Sequence, residues 1–155
     1  MDHICFTMRV DPAHLERYER MHREAWPELL TALGDAGWRN YGLFLRADGF
    51  LIGHLEADDW PTARAAMDAA EVSPRWSAEM DQLVVPGTRM RWLRLLASST
   101  DGRSAVFADD DGTVVAYTEH SGGATAFAGS MLAEPDPQPF RRVFDLEHQL
   151  AALPR

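Results

Sequence analysis

An alternation of apolar and polar side chains at the start of the chain constrains the fold most strongly. From residue 3 to residue 10, the side chains of Ile4, Phe6, Met8 and Val10 would face one way, and those between them the other. A period of two is that of a β-strand. Such a strand must pair with other strands and bury its apolar face, so the elements that follow should build a sheet around it.

A helix is predicted directly after this strand. Asp11 is a suitable N-cap, and Pro12 fits the first helical position because its missing amide needs no partner there. Pro27 removes a backbone hydrogen bond, which predicts a kink or break near Ala25-Trp26. The helix should end before Gly37, a residue that readily adopts a left-handed cap.

The next elements complete a recognisable order. Strands are predicted over residues 40–45 and 51–56 around a turn at Gly49, followed by a helix from Asp59 to Ala70 and a short helix that begins at Ser73-Pro74. With one closing strand, this order predicts an α+β fold, a ferredoxin-like split βαβ sandwich of the dimeric α/β-barrel type. Helices would cover one sheet face, and a homodimer with its sheets face to face would cover the other.

The pattern changes after Gly87. We expect a ferredoxin-like domain of residues 1–87 plus 140–150, and an inserted hairpin/helix element of residues 88–139. The local predictions are a strand over 90–97, a hairpin of strands over 104–109 and 113–119, a helix over 124–132, a loop over 134–139 and a last strand over 143–146.

The inserted element contains an internal echo. A shift of 63 positions places Phe44 on Phe107, Gly49 on Gly112 and Glu56 on Glu119. The element is therefore either a degenerate repeat or a second hairpin with the same turn chemistry.

Composition and motifs exclude several classes of function. A net charge of −9 and a pI near 5.0 argue against nucleic acid or an anionic membrane as a partner. A single cysteine, Cys5, excludes an internal disulfide framework and is best interpreted as a small buried hydrophobe. The histidines form no recognised metal spacing, and there is no glycine-rich phosphate loop. Without a signal peptide or a membrane-length apolar run, a cytoplasmic location is expected.

An aromatic-rich set remains as the candidate site. Tyr18 and His22 are four residues apart and share the inward face of the first helix. Alone, such a pair is more often core packing than a pocket wall. Trp26, Tyr41 and Trp76 lie on elements that would flank one cleft, where aromatic faces suit carbohydrate C–H surfaces and an imidazole can exchange protons. Trp38 and Trp92 are instead interpreted as core residues.

Several motifs, at matching spacing, resemble the L-rhamnose mutarotase family over residues 1 to about 87. They are Phe6-Thr7-Met8-Arg9-Val10, Tyr18 with His22, Trp26-Pro27-Glu28-Leu29, Gly37-Trp38-Arg39-Asn40-Tyr41 and Arg75-Trp76 with Glu79-Met80, while Val143-Phe144-Asp145-Leu146 resembles the family's closing strand. The resemblance implies a ferredoxin-like dimer without metal or organic cofactor. It also implies that His22 donates a proton and that Tyr18, Tyr41 and Trp76 line a sugar site.

Two features depart from the family pattern. Ser77 stands where the family has a second aromatic residue directly after Trp76, which removes stacking surface. Residues 88–139 have no counterpart in the family, and they could cover the cleft, block the usual dimer or replace the partner's sheet.

The resulting hypothesis is a mutarotase that opens and recloses L-rhamnose or a related deoxy or neutral pyranose by acid/base chemistry. His22 would be the acid toward the ring oxygen and Tyr18 would position the sugar or relay a proton. Substrate contacts would come from Tyr41, Trp76, Trp26 and Met80, with the last near the deoxy methyl. The alternatives are a cofactor-free monooxygenase-like enzyme of the same fold type and a non-catalytic sugar-binding module.

Overall fold

The computed structural model describes residues 1–121, 123–130 and 139–154. The strands are β1 (Asp2–Arg9), β2 (Arg39–Arg46), β3 (Phe50–Ala57), β4 (Arg91–Ser98), β5 (Ser104–Ala108), β6 (Thr113–His120), β7 (Gly123–Ser130) and β8 (Phe140–Asp145). The helices are α1 (Leu15–Arg23), α2 (Pro27–Asp35), α3 (Trp60–Asp68), α4 (Val72–Asp81) and α5 (Leu146–Ala151). Most of the predicted loop over 134–139 lies outside the described residues.

The predicted helix break is confirmed. Asp11 Oδ1 accepts a hydrogen bond from the Ala13 amide at 2.9 Å, which starts a 3₁₀ turn ahead of α1. Helix α1 ends at Arg23, and Pro27 occupies the first turn of α2, where a proline costs no hydrogen bond. Gly37 follows α2 with a φ of 92°, as expected for a left-handed cap.

The start of α4 differs from the sequence prediction. The helix begins at Val72, so Ser73 lies within its first turn and is not the N-cap. Ser73 Oγ instead donates to the carbonyl of Met67 at 2.6 Å, which ties α4 to the end of α3. The Met67 carbonyl also accepts from the Ala70 amide at 3.1 Å, so the Ser73 hydroxyl adds a second hydrogen bond at the end of α3.

The strands form one antiparallel sheet of eight in the order β7-β6-β5-β4-β1-β3-β2-β8. Within it, β4-β1-β3-β2 and the helices on one face make the predicted α+β, ferredoxin-like arrangement, which is confirmed. None of the helices in the described ranges is long and apolar enough to cross a membrane.

The closing strand is β4 and not the predicted segment over 143–146. Strand β4 pairs with β1, with Trp92 opposite Phe6, so the expected insertion of residues 88–139 begins with a strand of the core sheet. Strand β8 pairs with the far edge of β2, where Phe144 lies opposite Leu43. Both segments are apolar enough to join the sheet, and only the pairing distinguishes their places in it.

The helix predicted over 124–132 is wrong for its described residues, which form β7. This strand pairs along its whole length with β6, and the described residues of the inserted element therefore form strands and no helix. Alanine favours helices, but Ala126 is buried while its neighbour Phe127 is 57% exposed, which is the alternation of a strand. Tertiary pairing here overrides helix propensity.

Two hydrophobic cores lie on opposite faces of the sheet. One packs α1–α5 against the outer face and contains Phe6 and Leu55. The other lies between the first hairpin and strands β5–β7 and contains Cys5, Phe44 and Phe107. The face for which a homodimeric partner was expected is thus covered within the chain, and the reason for expecting a face-to-face homodimer no longer holds.

Gly53 of β3 should be intolerant of a methyl group. An added Cβ would lie 2.2 to 2.7 Å from ring atoms of Phe6. We expect Gly53→Ala to lower the free energy of unfolding by about 1–3 kcal/mol, because the ring must move within a packed core. Urea unfolding monitored by tryptophan fluorescence would measure this.

The matched control is Gly129→Ala on β7. Among the described residues, an added Cβ there meets no atom within 4 Å. Equal urea midpoints for the two variants would contradict the close approach of Phe6 to β3.

Candidate active site

A cavity of about 580 Å³ lies between the helices and the outer face of the sheet. It brings together five of the six residues predicted for the site, which are Tyr18, His22, Tyr41, Trp76 and Met80. They come from α1, β2 and α4, and therefore from positions far apart in the chain. The sixth residue, Trp26, is not part of the cavity wall.

His22 is held in one orientation and one tautomer. Its Nδ1 lies 2.8 Å from the carbonyl oxygen of Tyr18, one helical turn earlier. A carbonyl can only accept, so Nδ1 carries the proton, and in the neutral ring Nε2 is left with a lone pair for the cavity. The Tyr18 ring lies against the imidazole with 4.2 Å between centroids.

Burial keeps the imidazole uncharged. His22 is 5% exposed, and desolvation lowers its pKa from 6.5 to about 4, although the hydrogen bond to Tyr18 partly opposes the shift. At neutral pH the ring is therefore a neutral proton acceptor through Nε2.

Aromatic edges enclose this imidazole from two sides. Trp76 meets it edge-on with 5.3 Å between ring centroids, and Phe144 does so at 5.8 Å. Gln149 Nε2 donates to the backbone carbonyl of His22 at 2.6 Å, which satisfies an orphan group at the end of α1. Strand β8 and helix α5 thus help to hold His22 in place.

Two phenols complete the polar part of the wall. Burial raises the pKa of both Tyr18 and Tyr41, and a charge on Tyr41 would raise that of Tyr18 further. Both hydroxyls therefore stay protonated and can donate hydrogen bonds. The Tyr41 ring is fixed between Trp38, at 5.0 Å, and Phe144, at 5.3 Å.

Trp26 has a supporting position. Its ring meets Trp76 edge-on with 5.1 Å between centroids, and the guanidinium of Arg75 lies over it. It therefore orients Trp76 from behind and does not face the cavity.

Other cavity residues escaped the sequence analysis. Trp38 and Trp92, interpreted as core, pack in the core and also line the cavity, as does Trp60. Ser77, which the sequence analysis had already singled out beside Trp76, lines it as well. The position of Trp92 depends on the pairing of β4 with β1, which places it opposite Phe6. Phe144 could not have been found, because its place beside His22 depends on how β8 pairs.

The cavity mouth carries charge of both signs. Arg64, Asp68, Asp81 and Arg89 line it, and the Arg64 guanidinium lies 4.8 Å from the centre of the Trp92 ring. Among the described residues, no group of three or more His, Cys, Asp or Glu side chains could hold a metal ion. The fold and site define an α+β protein with an aromatic pocket around one neutral imidazole, which suits a sugar ring and proton transfer.

Comparisons with known proteins agree with this class. A family model for L-rhamnose mutarotase matches residues 3–104. The L-rhamnose mutarotase of Acidiphilium cryptum (strain JF-5) is 40% identical over 82 residues, which are 52% of this chain and 79% of that protein. That of Burkholderia ambifaria (strain MC40-6) is 34% identical over 109 residues, 68% of this chain and 89% of that protein.

A solved structure supports the fold. The crystal structure of an L-rhamnose mutarotase from Formosa agariphila aligns with a TM-score of 0.54 and 18% identity, over 64% of this chain and 99% of that one. The family model covers well over half of the sequence, and this chain belongs to the L-rhamnose mutarotase family.

The state of His22 can be measured directly. We expect ¹⁵N-edited NMR to show a neutral ring protonated on Nδ1 that titrates near pH 4. Because this value lies below the ordinary 6.5, protons bind the unfolded chain better. The ring's contribution to stability is then complete above about pH 6.5 and is lost as the pH falls toward 4.

His22→Ala identifies the resonance by its absence. A ring that titrates near 6.5, or one protonated on Nε2, would contradict the buried hydrogen-bonded geometry.

Proposed function

We propose that this protein interconverts the α and β anomers of L-rhamnose or a related deoxy or neutral pyranose in the cytoplasm. The observation that carries the proposal is the meeting of Tyr18, His22, Tyr41 and Trp76 in one cavity of about 580 Å³. Family membership adds independent support. A cavity of this volume has room for a monosaccharide.

The neutral imidazole sets the order of the proton transfers. Nε2 of His22 first takes the proton of the anomeric hydroxyl, and the C1–O5 bond breaks as the aldehyde forms. The same nitrogen then delivers that proton to O5, which becomes a hydroxyl. Both oxygens are bonded to C1, so one nitrogen can reach both. Rotation about C1–C2 and the reverse transfers give the other anomer.

His22 is thus proposed as base and then acid, whereas the resemblance implied only the acid role. Its proton on Nδ1 is committed to the Tyr18 carbonyl, so Nε2 must accept before it can donate. Burial makes the first transfer harder and the second easier, because it destabilises the imidazolium that the first step forms and the second step deprotonates.

The other wall residues position the sugar. Tyr18 and Tyr41 are proposed to donate hydrogen bonds to sugar hydroxyls, since both phenols stay protonated. Trp76 would stack on the C–H face of the ring, with Met80 near the deoxy methyl. Trp26 is proposed to act through Trp76, which it contacts edge-on.

Removal of the imidazole should abolish catalysis. We expect His22→Ala to slow anomer exchange on L-rhamnose by about 100-fold or more, the usual contribution of a positioned acid/base group. NMR exchange spectroscopy between the two anomeric protons measures the rate. The control is His120→Ala, whose imidazole is exposed on β6 and is not part of the cavity wall.

Exchange that persists in folded His22→Ala would contradict the role of the imidazole. Absence of exchange in the unsubstituted protein, with the pocket intact, would contradict the proposed reaction.

Ser77 offers a test of sugar selectivity. A Ser77→Trp substitution adds an aromatic face to the cavity wall, so L-rhamnose should bind more tightly by about 0.5–1.5 kcal/mol, or roughly two- to tenfold in KM. Bulkier pyranoses should be excluded at the same time. KM from anomer exchange on a sugar panel is the measurement.

Ala78→Trp is the matched control, because Ala78 is exposed on the same helix and is not part of the cavity wall. An equal change of KM in both variants would show that Ser77 does not set the width of the sugar site.

A further inference from the structure

In the core between the first hairpin and strands β5–β7, the 63-residue shift turns one ring contact into another. The 63-residue shift places Phe44 on Phe107 and His54 on Tyr117. Phe44 contacts Tyr117 with 6.1 Å between ring centroids, and His54 contacts Phe107, also at 6.1 Å. His54 and Tyr117, which are equivalent to each other, stack at 3.6 Å. Reciprocal contacts around a self-contact are the signature of a two-fold interface.

The strand pairing repeats in the same way. His54 lies opposite Gly42 in the first hairpin, and Tyr117 lies opposite Ala105 at the equivalent place in the second. On its other side, His54 pairs with Cys5 and Tyr117 with Ala126, and both of these partners are buried in the second core.

Even the irregularities correspond. The pairing of β8 with β2 skips Val143 between Leu43 and Phe44. The pairing of β4 with β5 skips Leu96 between the equivalent positions, Val106 and Phe107. A β-bulge is a specific local feature, so its recurrence is hard to attribute to shared turn chemistry alone.

These correspondences divide the eight-stranded sheet, which the contact of β7 with β8 closes toward a barrel, into two halves. The first half-barrel is β4-β1-β3-β2, and the second half-barrel is β8-β7-β6-β5, in the same spatial order. Strands β7 and β8 also contact each other, which brings the two ends of the sheet together. Each strand of one half thus has a counterpart in the other. Strand β7 is the counterpart of β1, but it follows its hairpin in the chain, whereas β1 precedes its own.

The second half-barrel contributes to the helix-lined pocket of the first and, among its described residues, has no counterpart of that pocket. Its described residues before β8 contain no helix, and therefore no equivalent of α1 or α4. Its strand β8 supplies Phe144, whose ring contacts both His22 and Tyr41 in the wall of the cavity.

We propose that the second half-barrel is a built-in replacement for a second subunit, which covers the first half-barrel and completes its helix-lined pocket in cis through Phe144. The part that concerns catalysis rests on the proposed function, whereas the architectural part does not. The protein should then work as a monomer with one sugar site per barrel.

Sedimentation equilibrium with the intact chain tests the architecture without any assay of activity. We expect one species of 17.4 kDa across a wide range of dilution. A dimer that persists at the lowest concentrations would overturn the proposal, because a second copy would then be part of the working unit.

Mixing two defective variants tests whether the pocket forms in cis. His22→Ala lacks the imidazole, and Phe144→Ser lacks the wall that β8 provides. The two chains are unfolded together, refolded and assayed for anomer exchange. We expect the mixture to be no more active than the sum of the separate variants.

Recovery of exchange in the mixture would overturn the proposal, since it requires β8 of one chain to reach His22 of another. Phe144→Leu replaces Phe144→Ser if the serine variant does not fold. If the unsubstituted protein shows no exchange, the proposed function fails, and the sedimentation result still decides the architecture.

Discussion

The fold depends on the need to cover both faces of one antiparallel sheet. Each face of β1–β3 is apolar, with Phe6 on one side and Cys5 on the other. Helices bury the first face and create the cavity, while strands β5–β7 bury the second. Because hydrophobic burial dominates folding stability, neither layer could be removed without exposing a core. The inserted element is therefore part of the structural unit and not an appendage.

The pocket is built from breaks in regular structure. The break before Pro27 lets α1 end after His22, and the bulge at Val143 turns both Val143 and Phe144 toward the helical side of the sheet. The imidazole then lies buried among aromatic rings, with only Nε2 left for a ligand. The same packing lowers the pKa of the His22 imidazole and sets its tautomer. The position of α1 therefore determines the chemistry of the site.

Prediction from the sequence was strongest where side-chain period and capping residues agreed. The alternation around Phe6, the cap at Asp11 and the break at Pro27 all indicated local structure that short-range forces decide. Prediction was weakest where the pairing of distant strands decides the structure. Alanine-rich β7 was expected to be a helix, and the segment that contains Phe144 was expected to be the closing strand, a place that β4 takes instead. Such assignments depend on partners far away in the chain.

By itself, the sequence determined the element order of the first 87 residues, the inward Tyr18/His22 pair and most of the aromatic wall, because helical and strand periods place side chains on defined faces. Only the tertiary structure decided that Trp26 stands behind Trp76, that Phe144 encloses His22, and that β5–β7 cover the second face. These outcomes depend on long-range pairing and on the desolvation it produces, neither of which is encoded in a local pattern.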